Sequence, residues 1–441
     1  MGTLEEEIKK RRCSVGIIGL GHIGLPMAAV IAEKGFTVLG GDLNPNIVDT
    51  VNSQKSSVQE EGLQSLIEKG SKEGRLRATL NPSEVVKKSK IVLIVVQTPI
   101  KEDNTPDLSH LKNACLEVSK QLRPGQLIII ESTLPPGTIN EVILPIFDCS
   151  GLLAGEDFYL AYSPERAMPT RTLEEIQSNS RLIGGINQKS ASIAMEFYKL
   201  VTNGELISSD LATVEIVKLI ENTYRDTNIA LANEIALFCE GIGVDALNAI
   251  KLANKHPRVN IHLPGAGVGG HCIPKDPNFI LNKANELGIK LELIEAARKV
   301  NENMPKHVVK MIKKALATAD KSIEKSKVSI LGIAYKGDTD DVRNTPAKVI
   351  VEELLESDCF VYSHDPYVKH DFGGMFSNNI TKVIKDSDCL VIVTDHSIYK
   401  SLDLKELSRQ LKTPNIVIDA RRILDPRGVK GHGMRYFGVG Y

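Results

Sequence analysis

The stretch PGAGVGGHCIPKDP, Pro264 to Pro277, sets one thiol, Cys272, among Gly269, Gly270, His271, Lys275 and Asp276 rather than in an apolar run. A nearby ammonium favours the thiolate, which is the nucleophilic form of cysteine. Glycines leave room for a substrate to approach the backbone. An inert cysteine in a flexible glycine loop is the alternative this segment leaves open. Lys218, Asn222 and Arg225 recur at helical spacing, i, i+4 and i+7, so they share one face. A Lys and an Asn aimed at one spot can stabilise an oxyanion or hold a water. A solvated stripe with a simple Glu221–Arg225 ion pair is the plainer account, although the flanking positions are strongly apolar. In YSPERAMPTRT, residues 162–172, Glu165 can serve as a base in hydrolysis and Arg166 can meet a phosphate or an acid.

VGIIGLGHIGLP places Gly19, Gly21 and Gly24 in GxGxxG spacing, after a strand-like run and before an apolar helix. The first glycine suits a tight turn, the second lets backbone approach a pyrophosphate, and the third allows close helix packing. His22 and Ile23 lie in the same turn and join the candidate cofactor contacts. Asp42, 18 residues after Gly24, can accept hydrogen bonds from an adenosine ribose. Its charge repels a 2′-phosphate, which favours NAD over NADP. Glycines that serve only the turn are the alternative. The loops Val96–Pro99 and Glu131–Thr138 follow strand-like runs, which makes Thr98 and Thr133 candidate contacts on the ligand edge, or turn formers. With a nicotinamide nearby, a thiolate can capture an aldehyde as a thiohemiacetal that then loses hydride to become a thioester.

Apolar runs must position these groups. SVGIIGL, FTVLGGD, KIVLIVV and QLIIIEST alternate with helical patterns in the first third, and KVSILGIAY, CFVYSHDP, CLVIVTDH and NIVIDAR do so near the C-terminus. Such spacing predicts buried strands of parallel sheets. The expected fold is α/β, with two Rossmann-like doubly wound domains joined by a helical domain. The expected boundaries are 1–208, 209–320 and 321–441. From Ser209 the chain has no Pro or Gly until Gly241, which predicts one helix of roughly 30 residues, about 45 Å long. A helix of that length is a natural spine and dimer surface. TADKSIEKSK, residues 318–327, reads as an exposed link.

Across 441 residues, 54 basic and 55 acidic side chains give a net charge of -1, which argues against nucleic acid as a partner. A local basic pocket stays open to a small anion. No apolar run approaches the roughly 18 residues of a membrane span, and MGTLEEEIKKRRC lacks the core of a secretory signal, so a cytoplasmic protein is expected. Seven cysteines without a CxxC pair indicate neither a disulfide framework nor a metal site; most should be small buried apolar residues.

The motifs GLGHIGLP, YSPER, EIVKLIENTYRDTNIALANE, GVGGHCIPKDP and AYKGDTDDVRNTPA resemble, in order and over nearly the whole chain, the nucleotide-sugar 6-dehydrogenases. That resemblance implies NAD on the first domain, UDP on the last, and a homodimer or higher homo-oligomer through the long helix. It implies a four-electron oxidation of C6 from alcohol to carboxylate, using two NAD and one water. Cys272 then resembles the nucleophile, Lys218 the group beside the reacting oxygen, Asn222 and Asp276 the pair that positions water, and Glu165 the base of thioester hydrolysis. Thr133 falls near the nicotinamide, and Lys275 and Arg343 resemble cofactor contacts. Arg166, Ala167, Lys218, Asn222, Arg225, Gly269, Tyr335, Lys336 and Arg421 resemble substrate contacts, with His256 and Arg258 reaching a substrate in the neighbouring subunit. Ion pairing of Arg343 with Asp340 or Asp341, and helix-end capping by His256, are the plainer readings of those two.

PERAMPT and HPRVN look like the mannosamine branch, whereas PERVDPG is usual in the N-acetylglucosamine branch and NPEFLREG in the glucose enzymes. The expected substrate is therefore UDP-N-acetyl-D-mannosamine, with UDP-N-acetylglucosamine or UDP-glucose as alternatives. A two-electron 3-hydroxyacid dehydrogenase would need neither the thiol nor the last domain. A non-catalytic NAD or UDP-sugar sensor would not need Lys218, Asn222, Cys272 and Asp276 together.

Overall fold

Val- and Ile-rich runs become the inner strands of two sheets because both of their faces are covered. The computed structural model describes residues 3–168, 171–370 and 372–441. The first sheet comprises Ser14–Ile18 (β1), Thr37–Gly41 (β2), Leu76–Thr79 (β3), Ile91–Ile94 (β4), Leu127–Ile130 (β5), Tyr159–Tyr162 (β6), Arg181–Gly185 (β7) and Leu206–Asp210 (β8). Its order is β3-β2-β1-β4-β5-β6-β7-β8. All neighbours are parallel except β6 and β7, which pair antiparallel through Ala161–Gly185 and Tyr162–Gly184. Alternation splits the core in two: Ile91, Leu93, Leu127 and Ile129 pack on one face, and Val92, Ile94, Ile128 and Ile130 on the other. That is why these strands read as continuous apolar runs.

The second sheet comprises Lys327–Leu331 (β9), Phe360–His364 (β10), Met375–Phe376 (β11), Cys389–Ile392 (β12), Ile416–Asp419 (β13) and Arg435–Gly438 (β14). Its order is β11-β10-β9-β12-β13-β14, wholly parallel. In both sheets the order turns back beside the first strand, between β1 and β4 and between β9 and β12. In a doubly wound sheet that reversal opens a crevice at the carboxyl ends of the strands, where ligands bind.

Between β8 and β9 the described residues form helices and loops and no strand. The longest helix, Leu211–Ile242, has 32 residues, close to the expected length. Asp210 caps it, accepting from the Thr213 N–H at 2.9 Å. It stops where Gly243 turns left-handed, at φ 70°. Glu292–Ala317 has 26 residues and carries Pro305 within it. Contacts divide the chain into two compact units, Met1–Ile220 with Asn278–Leu287, and Glu221–Pro277 with Gly288–Tyr441. Of the expected link 318–327, residues 318–325 are exposed or half-buried, whereas Ser326 is buried and Lys327 already begins β9. Among the described residues no helix is long and apolar enough to cross a membrane.

Candidate functional site

In the first unit the three motif glycines have three different surroundings. Gly19 has φ 97°, and a Cβ there would lie 2.5 Å from the Val95 carbonyl oxygen. A Cβ on Gly24 would fall 1.8 Å from the Gly19 oxygen, so helix Gly24–Glu33 packs directly on the turn. A Cβ on Gly21 would meet nothing within 4 Å. The open side at Gly21 faces away from the protein, the surroundings a pyrophosphate needs. His22 is exposed and Ile23 half-buried in the same turn. Asp42 accepts from the Leu20 N–H at 2.8 Å through Oδ2 and from the Asn44 N–H at 2.9 Å through Oδ1. That fixes the carboxylate beside the glycine turn with lone pairs to spare for a ribose. Thr98 donates its hydroxyl to the Thr133 carbonyl at 2.7 Å, joining the loops after β4 and β5. These residues fit a dinucleotide.

The antiparallel entry of β7 carries Arg181 past the end of β6 to the same edge. There Arg181 donates to Glu165 at 2.5 Å and to Glu131 at 3.2 Å, and its guanidinium lies 4.4 Å from the centre of the Tyr198 ring. Tyr198 donates its hydroxyl to Glu131. Burial raises the Glu131 carboxyl to about 7, with the Arg181 charge opposing and the Glu165 charge adding to the rise. Burial would raise Glu165 as well. Arg181 and the N–H groups of Arg166 and Ala167, at 2.6 and 2.8 Å, outweigh it and hold Glu165 below its ordinary value. Glu165 thus orders the loop that presents Arg166 and Ala167. Arg166 also bonds the Ser180 hydroxyl at 2.7 Å. Pro169 and Thr170 of that motif lie outside the described residues. Glu215 on the long helix accepts from Gly137 and Ile139 N–H groups at 2.7 and 3.0 Å. It ties the helix to the Thr133 loop one turn before Lys218, which is 7 % exposed.

In the second unit Asn222, the next turn of that helix, donates to Asp276 Oδ2 at 2.6 Å. Lys275 lies 3.5 Å from the other Asp276 oxygen, and all three side chains are buried. Asp276 opens helix Asp276–Glu286, and its N–H bonds the Cys272 carbonyl at 2.9 Å. Cys272 is exposed and, with Cys149, is one of two exposed cysteines; the other five are buried. Burial raises the thiols of Cys13 to about 11 and of Cys115 and Cys359 to about 12, so these are unreactive. The Cys272 sulfur is 4.0 Å from His271 Nδ1. Burial raises the Tyr335 phenol, with the charges of Asp341 and Cys272 adding to the rise.

The glycines before Cys272 prove to be packing requirements. A Cβ on Gly269 would lie 2.6 Å from Tyr335 Cβ, and one on Gly270 would lie 2.8 Å from the Tyr335 ring. The Gly270 N–H bonds the Arg343 carbonyl at 2.8 Å, and Asn344 bonds the Gly270 oxygen at 3.0 Å. Arg343 pairs with Asp341 at 2.6 Å, as the plainer reading of its neighbours expected. Lys336 is half-buried, Arg225 is exposed, and Arg421 donates to Asp395 at 3.1 Å. His256 and Arg258 are exposed, with Arg258 Nη2 3.4 Å from His256 Nε2. The sequence reading missed Glu131, Arg181, Tyr198 and Glu215, as well as Asp365 and His396. Only Glu131, Asp365 and His396 carried a signal, since each follows an apolar strand run on the ligand edge.

Residues 13–202, 212–303 and 329–426 match the NAD binding, central and UDP binding domains of the UDP-glucose/GDP-mannose dehydrogenase family. The chain is 40% identical over 428 residues to the UDP-N-acetyl-D-mannosamine dehydrogenase of Pyrococcus horikoshii, covering 97% of this chain and 99% of that protein. The solved structure of UDP-D-ManNAc dehydrogenase from Pyrococcus horikoshii superposes with a TM-score of 0.91 at 39% identity, over 97% of this chain and 99% of that one. That of NDP-N-acetyl-D-galactosaminuronic acid dehydrogenase from Methanosarcina mazei gives 0.85 at 33% identity, over 100% and 98%.

Proposed function

This chain belongs to the UDP-glucose/GDP-mannose dehydrogenase family and is an NAD-dependent UDP-sugar dehydrogenase, and we propose that it oxidises C6 of UDP-N-acetyl-D-mannosamine to the uronate. The observation that carries the choice of sugar is the full-length likeness to the Pyrococcus enzyme of that name. NAD, held by the Gly19–Gly24 turn and Asp42, would supply the hydride acceptor for both oxidations of C6. The Cys272 thiolate adds to the aldehyde formed by the first, giving a thiohemiacetal; loss of hydride from that adduct gives a thioester, and water releases the carboxylate and the thiolate. Lys218 stabilises the developing alkoxide. Asn222 and Asp276, already bonded to one another, hold the attacking water. Glu165, kept ionised by Arg181, takes a proton in that last step. Arg166, Arg225, Lys336 and Arg421 supply positive charge for the diphosphate.

Exposed Tyr224, Leu231, Phe238 and Ile242 recur along the long helix at intervals of 7, 7 and 4, which supports a homodimer built on that face. Light scattering on the purified chain tests it. The activity is tested by NADH formation against UDP-N-acetyl-D-mannosamine, UDP-N-acetylglucosamine, UDP-N-acetylgalactosamine and UDP-glucose. Two NADH per sugar consumed, with the mannosamine sugar preferred, is the expected result. Preference for any other sugar overturns the substrate, and one NADH per sugar overturns the two-step reaction.

A further inference from the structure

We propose that His396, acting with Asp365, is a positioning residue that frames the loop bearing Tyr335 and Lys336 and, through Tyr335, the loop bearing Cys272. Asp365 follows β10, His396 lies just past β12, and the Tyr335 loop follows β9, so all three stand at the edge where the strand order turns back. Asp365 is 2 % exposed and His396 0 %. Asp365 Oδ2 accepts from the N–H groups of Ile333 at 2.7 Å and Ala334 at 3.0 Å, at the start of the loop. Its Oδ1 accepts from Tyr367 and Val368, both at 2.9 Å. His396 Nδ1 accepts from the Asp338 N–H at 2.9 Å, at the end of the loop. His396 Nε2 meets Asp365 Oδ2 at 2.9 Å, closing the frame. One neutral tautomer, protonated on Nε2, satisfies both contacts.

A buried His–Asp pair invites an acid–base reading. Here both ring nitrogens are occupied, one by a backbone N–H and one by the carboxylate. What the frame fixes is Tyr335 between its two ends. The Tyr335 ring fills the space above Gly269 and Gly270, two residues from Cys272. Asp395 adds a bond to the Gly337 N–H at 3.2 Å and holds Arg421 at 3.1 Å, so the same corner orients another basic side chain. The inference rests on the reading that Tyr335 and Lys336 contact the UDP-sugar.

Two conservative variants of the full chain separate framing from bulk stability. An asparagine places its amide oxygen near Nδ1 and keeps the Asp338 bond; a glutamine places its amide nitrogen near Nε2 and keeps only the Asp365 bond. His396→Gln should raise KM for the UDP-sugar about tenfold while KM for NAD stays within about twofold, as expected for loss of one buried hydrogen bond. Its Cys272 should react with iodoacetamide at a rate changed severalfold, read by mass spectrometry of the Cys272 peptide. His396→Asn, which keeps the Asp338 bond at the end of the loop but loses the link to Asp365, should fall between wild type and His396→Gln in both measurements. Equal shifts of both KM values, or His396→Asn no better than His396→Gln, overturn the proposal. Should the wild type oxidise no UDP-sugar, the substrate reading falls and the alkylation rates alone decide the frame: unchanged rates in both variants reject it.

Discussion

Asp42 is held by two backbone N–H groups, so its carboxylate is preset for a ribose whether or not a ligand is there. Charge-assisted hydrogen bonds contribute roughly 1.5 to 3 kcal/mol, so Asp42→Asn should raise KM for NAD about 10- to 100-fold and narrow the preference over NADP, checked by steady-state kinetics with both cofactors. On the proposed thioester route, Cys272 is the group whose loss should separate the two oxidations. Cys272→Ser should lose at least about 1000-fold in acid formation, as expected when a covalent route is removed, and product analysis by mass spectrometry checks it. Residues like these were legible because their types are unusual for their surroundings: a thiol among glycines, an acid after a strand. Arg181 was not. Nothing in RLIGG singles it out, and only folding brings it to Glu131 and Glu165.

At the scale of elements, the strands that sequence disclosed are the Val- and Ile-rich runs, β1, β2, β4 and β5 in one sheet and β9, β10, β12 and β13 in the other. LRAT, LISSD, RYFG and the two residues of β11 carry exposed positions, RLIGG ends in glycines, and YLAY, though mostly buried, is short, so no long apolar run marks these six. Side-chain periodicity also carries no direction, which left the reversal at β7 unread. The long helix was legible from its missing breakers, but its polar partners were not. Arg298 reaches Asp226 at 2.6 Å, and Asn301 bonds both Asp226 and Asn233, tying the helix to Glu292–Ala317. Arg298→Met leaves a buried carboxyl without its cation and should destabilise the fold by about 3 to 5 kcal/mol in urea titrations. Adding Asp226→Asn should recover most of that loss.

Across the whole molecule, two buried acids give stability opposite dependences on pH. Glu131 is raised to about 7 from an ordinary 4.5, so the unfolded chain ionises first and stability falls as pH rises between those values. Asp365 is lowered to about 2 from 3.8: burial opposes the shift, and His396 and the N–H groups of Ala334 and Ile333 outweigh it. Its contribution is present above 3.8 and lost as pH falls toward 2. Each is on the order of 2 to 4 kcal/mol at about 1.4 per unit. Glu131→Gln, shaped like the neutral acid, should flatten the decline between pH 5 and 7 in calorimetric scans and leave the acid limb unchanged. The glycine turn offers a different kind of tool. Gly19 and Gly24 are boxed in by backbone, but Gly21 borders open space with no left-handed φ. An alanine there is invisible to the protein and intrudes only on a dinucleotide. Gly21→Ala should thus be a separation-of-function allele: a folded chain, still able to take up UDP-sugar, that reports what the protein does in a cell when it cannot turn over.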